Sequence, residues 1–94
     1  MAVTWSGSAD KHGVAREDAL HAIANALYVE DELDEPRPPS QIRPHLFIGP
    51  QRRPGAPLLE VMAEILPPRG LPIFHVMHAR QRHLARMEET NDGD

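Results

Sequence analysis

The sequence predicts an α+β domain: a small, mainly antiparallel sheet of four to five strands, with a long helix over residues 15–26 and a C-terminal helix over residues 80–90 packed on it. Three observations point there. Ninety-four residues suffice for one domain with one shared core. One alanine-rich stretch in the first third has helical periodicity. From His45 onward the chain becomes short apolar runs punctuated by Pro and Gly, which is how strands joined by turns read.

Taken in order, "AVTW" (residues 2–5) is a short strand candidate broken by "SGS". "SADKH" is a helical turn with Ser8 as its cap, ended by Gly13, since glycine accepts the left-handed conformation that closes a helix. In "VAREDALHAIANAL" the residues Leu20, Ile23, Ala24 and Leu27 recur at helical spacing, and Glu17 and Asp18 occupy the first turn, where the helix dipole favours anions. "LYVE" follows as a strand. Residues 31–44 form a long loop, acidic and then proline-rich, with almost nothing apolar to bury.

"HLFIG", "PLLEVMAEIL" and "LPIFHVMHA" are three further strands, joined by the turn sequences "PQRRPGA" and "PPRGL". Along the middle one, Leu59, Val61, Ala63 and Ile65 share one face, and Leu58, Glu60, Met62 and Glu64 share the other. In the last one Phe74 and Val76 read as the core pair, which sets His75 and Met77 on the face of Glu60 and Met62. That face is expected to stay open as a docking surface, with both helices on the opposite side. After Ala79 the period changes to that of a short amphipathic helix, with Leu84 and Met87 three apart. Residues 90–94 read as a disordered acidic tail.

Composition narrows the function. The absence of cysteine removes disulfides, thiolate metal sites and thiol nucleophiles. No apolar run approaches the roughly 20 residues of a membrane span, and the N-terminus lacks a secretory signal pattern, so a cytoplasmic protein is expected. The net charge of −4 conceals a division: residues 1–40 sum to −5, residues 41–86 to +5 and residues 87–94 to −4. An arginine-rich segment suits phosphate, because a guanidinium grips it through two parallel hydrogen bonds. The helix near residue 80 begins with Arg80, Arg82 and His83, cations at the positive end of a dipole, and an anion there would relieve the conflict. No metal or cofactor is expected: His75 and His78, three apart on a strand, point to opposite faces, and no thiolate or nearby carboxylate completes a site.

The early Trp5, "KHGV" (residues 11–14) leading into "REDAL", "YVED" after the helix, "LFIG" and "LLEV" in successive strands, and "VMHAR" (residues 76–80) entering a charged terminal helix together resemble the BrnT-type toxins of bacterial type II toxin–antitoxin modules. These are small ribonucleases with a RelE-like fold. The resemblance implies metal-independent endoribonuclease activity by attack of the ribose 2′-hydroxyl. It implies Lys11, His12 and Arg80 as catalytic residues and places Arg82 and Arg86 on the basic final helix that contacts RNA; by their charge, His83, Arg52 and Arg53 are expected as further RNA contacts. It also implies RNA and a cognate antitoxin as partners, in a homodimer or a toxin–antitoxin heterocomplex. The competing expectation is a non-catalytic interaction protein, or an inactive homologue of such toxins, docking a partner in a groove lined by Leu58, Met62 and Met77.

Overall fold

The computed structural model describes residues 2–31, 44–66 and 70–92. Five strands, β1 (Ala2–Trp5), β2 (Tyr28–Glu30), β3 (His45–Gly49), β4 (Leu59–Ala63) and β5 (Gly70–His78), form one sheet in the order β1-β5-β4-β3-β2. The β2, β3, β4 and β5 neighbours pair antiparallel, and β1 lies parallel to β5, so the sheet is mixed. Two α-helices complete the α+β fold, α1 (Arg16–Ala24) and α2 (Gln81–Asp92). Helix α1 is shorter than the expected 15–26. Helix α2 begins at 81 and runs through Asp92, into the segment expected to be a tail, while residues 93–94 and most of the expected loop 31–44 lie outside the described residues. None of the described helices is long and apolar enough to cross a membrane.

The helices occupy opposite faces, which corrects the expected one-sided packing. Alternation along β4 produces two apolar clusters. Leu59, Val61 and Ala63 join Phe47, Ile73, Val76 and the α1 residues Ala19 and Ala22 on one face. Met62 joins Leu46 and Ile48 on the other, covered by Leu84 and Met87 of α2. The supposed open face is therefore a second core, in which Met62 is buried and against which Leu58 packs.

A bulge decides which face each β5 residue takes. Val76 pairs with Val61 and His75 with Met62, but Ala63 pairs with Ile73, leaving Phe74 as the extra residue. Ile73 and Val76 thus share the α1 side while Phe74 packs on the α2 side. A strict two-residue alternation, which paired Phe74 with Val76, misses this.

Helix α1 presents alanines to the sheet. Ala19 and Ala22 are buried and Ile23 packs against the same core as the apolar spacing suggested, while Leu20 and, beyond the helix, Leu27 are 40% and 59% exposed, which it did not. The cause is a close approach at Gly49 of β3. A Cβ there would stand 2.8 Å from the carbonyl carbon and 2.9 Å from the Cα of Ala22, so helix and sheet touch backbone to backbone and large side chains are turned aside. Gly49→Ala is accordingly expected to destabilise the fold by roughly 3 kcal/mol, the upper range for overpacking, because the clash is with backbone that no rotamer change relieves. Urea unfolding monitored by circular dichroism measures it.

After β1 the chain hugs the C-terminal half of β5. Trp5 pairs with Ile73, the Ser6 amide donates to the Ile73 carbonyl at 3.0 Å, and a 3-10 helix, Gly7–Asp10, follows. Its N-cap is Ser6, not Ser8. The Ser8 hydroxyl instead donates to the Phe74 carbonyl at 2.7 Å, holding the turn against β5. Gly13, at φ 71°, turns the chain toward α1 as expected. Arg16 then binds Asp10 at 2.7 Å and lies 5.0 Å over the Trp5 ring, tying α1 to the turn.

Candidate functional site

Register brings the chemistry to one end of the sheet. Gly49 pairs with Leu59 and Leu59 with His78, so the β3–β4 loop, the end of β5 and the start of α2 meet there. The turn after the 3-10 helix runs along the same stretch of β5 and delivers His12.

Glu60 is the centre of this end. It is fully buried on the α2 side of β4. Its carboxylate accepts from His75 Nε2 at 2.8 Å, from the Arg80 backbone amide at 2.7 Å, from Arg80 Nε at 3.1 Å to each oxygen, and from Arg80 Nη2 at 2.7 Å. Burial alone would raise its carboxyl above the ordinary 4.5. The hydrogen bonds from His75 and Arg80 outweigh burial and hold it down at about 2. Arg80 directly precedes α2, so Glu60 is also the anion that the start of this helix required. The sequence pointed to an incoming phosphate at that place, and the protein supplies its own carboxylate from β4.

His75 is fixed by the same contact. A carboxylate only accepts, so Nε2 carries the proton and Nδ1 is the basic nitrogen of the neutral ring. Against His75 stands His12, with ring centroids 6.0 Å apart and planes at 75°. His12, His75, Glu60 and Arg80 therefore form one continuous chain of contacts. Arg80 keeps its Nη1 hydrogens and one Nη2 hydrogen beyond those given to Glu60, and its side chain is 38% exposed.

The remaining expected residues fare unequally. Lys11 is exposed beside His12. His83 is not a rim residue: it is 5% exposed, its Nε2 accepts from Arg82 Nε at 3.3 Å and lies 3.8 Å from Glu60, and its Nδ1 has no partner among the described residues. Burial pushes its imidazole below the ordinary 6.5, against the pull of Glu60 and with the push of Arg82 and Arg80. It packs from the first turn of α2 toward Glu60 of β4. Because its folded value is depressed, the stability it contributes is present above pH 6.5 and is lost as pH falls below that value; His83→Leu should remove this part of the acid sensitivity in urea titrations at different pH.

Arg86 pairs with Glu30 of β2 at 2.8 Å. Arg52 is bound by Asp18 of α1 at 2.9 Å, and Arg53 is exposed beside it in the β3–β4 loop. Glu60 and His75 are the site residues that spacing left unassigned. The signal available was a glutamate in the middle of an apolar strand, on the same face as a histidine of the next strand.

Beside His12 lies an open hollow of about 210 Å³ lined by His12, Val14, Met77 and His78. No group of three His, Asp or Glu side chains suited to hold a metal ion occurs among the described residues. No protein-family model, curated protein or solved structure matches this chain. The chemistry of the site therefore rests on its geometry.

Proposed function

We propose that this protein is a metal-independent endoribonuclease with a RelE-like architecture, and that His12 and His75 are its acid–base pair. The observation that carries this reading is the contact between His12 and a His75 whose other nitrogen is bound to buried Glu60. Cleavage by an internal nucleophile needs a base for the 2′-hydroxyl proton, a cation for the charge on the five-coordinate phosphorus, and an acid for the departing 5′ oxygen. His75 Nδ1 takes the 2′ proton, and Glu60 stabilises the imidazolium that results. The 2′ oxygen attacks phosphorus as the P–O5′ bond breaks, and His12 protonates O5′. The products are a 2′,3′-cyclic phosphate and a 5′-hydroxyl. The spare hydrogens of Arg80 face the phosphate, and exposed Lys11, Arg53 and Arg82 supply attraction along the strand.

This moves the catalytic weight from Lys11, His12 and Arg80 to His12 and His75. It also gives Arg80 two tasks. Arg80→Ala is expected to slow cleavage on the order of 100-fold, as loss of one charge donor does, and to reduce stability by about 3 kcal/mol or more, because the Glu60 carboxylate it leaves behind is fully buried without its cation. Arg80→Lys should recover part of the stability and less of the rate, because it keeps the charge without the fork.

The decisive experiment is incubation of single-stranded RNA with the purified protein in chelator. Fragments ending in 2′,3′-cyclic phosphate support the reading, and intact RNA overturns it. In the same reading the protein is a toxin in the cytoplasm, held by an antitoxin. Its expression alone should arrest growth, and His75→Ala should abolish the arrest. One observation favours a second reading: Arg52, Arg80 and Arg86 are each already bound to a carboxylate. That suits an interaction protein or an inactive homologue, for which neither RNA fragments nor His75-dependent arrest is expected.

A further inference from the structure

We infer that the hollow formed by His12, Val14, Met77 and His78 is a subsite for one unstacked base of single-stranded RNA, placed next to the proposed cleavage centre. The inference rests on the ribonuclease reading for its biological meaning, and on the hollow itself for its chemistry.

Location is the first argument. The His12 ring forms a wall of the hollow and also meets His75 at 6.0 Å, so a ligand in the hollow lies one ring away from the Glu60-bound histidine. Met77 and His78 are the last two residues of β5, two and one positions before Ala79, and the chain reaches Arg80 directly afterwards. A strand whose phosphate meets His75 and Arg80 has its neighbouring base at this edge of β5.

The lining is the second argument. Val14 and Met77 give apolar walls, and a thioether side chain packs well on flat rings. Two imidazoles supply stacking faces and ring nitrogens for the edge of a base. Among the described residues that line it none is acidic or bears a guanidinium, so the hollow suits a neutral planar heterocycle and not the phosphate, for which Arg80 stands alongside. Size is the third. About 210 Å³ is below the roughly 300 Å³ at which pockets for drug-sized ligands begin, which fits one ring system and not a dinucleotide.

The test uses the full chain and an uncleavable ligand, a DNA hexamer lacking every 2′-hydroxyl, observed by nuclear magnetic resonance at the Met77 methyl and the His12 and His78 rings. Saturable shifts at all three are expected. An identical hexamer with abasic central positions should bind more weakly, and Met77→Ala should weaken the intact hexamer, each on the order of 10-fold, as loss of one stacked base does. Val14→Ala provides a second variant should Met77→Ala fail to fold. Equal binding of the abasic and intact hexamers, or shifts that leave the Met77 methyl unmoved, overturn the subsite. The two proposals fail separately. RNA cleaved in chelator with no response at Met77 removes the subsite and leaves the ribonuclease, whereas base-dependent shifts without any cleavage remove the ribonuclease and leave a base-binding hollow.

Discussion

Glu60→Ala is expected to lower the unfolding free energy by about 3 kcal/mol, the lower end of the cost of breaking a buried ion pair. The lower end applies because Arg80, 38% exposed, can turn to water once its partner is gone. His75 Nε2 and the Arg80 amide then lose their acceptor, the start of α2 loses its anion, and a void remains between β4 and α2. A domain of 94 residues has a total stability of about 5 to 14 kcal/mol, so this is a large share. Glu60→Gln keeps the volume and one acceptor and should fall between the two. Asp18→Ala, which breaks the surface pair with Arg52, should cost roughly 1 kcal/mol or less. Similar losses for Asp18→Ala and Glu60→Ala would contradict the assignment.

Acid should reproduce the Glu60 loss without mutation. Its folded carboxyl is depressed from 4.5 to about 2, so the stability it contributes is complete above pH 4.5 and disappears as pH falls from there toward 2. A shift of that size corresponds to about 3 kcal/mol. Unfolding of the wild type should steepen across this window, and Glu60→Gln should flatten it.

The second large effect concerns rate. His75→Ala and His12→Ala are each expected to reduce RNA cleavage on the order of 10²- to 10⁴-fold, the contribution of a positioned acid or base. His75→Ala also removes a donor to Glu60, so circular dichroism must accompany the assay. His45→Ala serves as control, since that histidine pairs with Asp31 in the part of the chain next to β2. Gel analysis of a labelled single-stranded RNA separates the three variants.

Much of the architecture was legible in the residues, for physical reasons that can be named. The α1 helix, the three apolar strands and the switch to helix after Ala79 follow from periodicity. Placement of the helices on opposite faces did not, because the Glu60 and Met62 side of β4 looks too polar to be a core until Arg80 and His75 neutralise the carboxylate. The bulge at Phe74 and the backbone contact at Gly49 likewise depend on long-range partners that local spacing does not carry. At the site, His12 and Arg80 stood out as cations at element ends. Glu60 and His75 did not, since a strand glutamate and a strand histidine acquire their meaning only from the pairing that sets Met62 opposite His75 and brings Glu60 beneath Arg80.

The central claim is that His12 and His75 exchange protons with RNA, and the pH dependence of kcat/KM in chelator tests it most directly. The wild type should give a bell with one limb for a base and one for an acid. His75→Ala should lose the basic group's limb and His12→Ala the acidic group's limb, each with reduced residual cleavage. A bell that both variants leave unchanged, or the absence of cleavage by the wild type at every pH, would contradict the account.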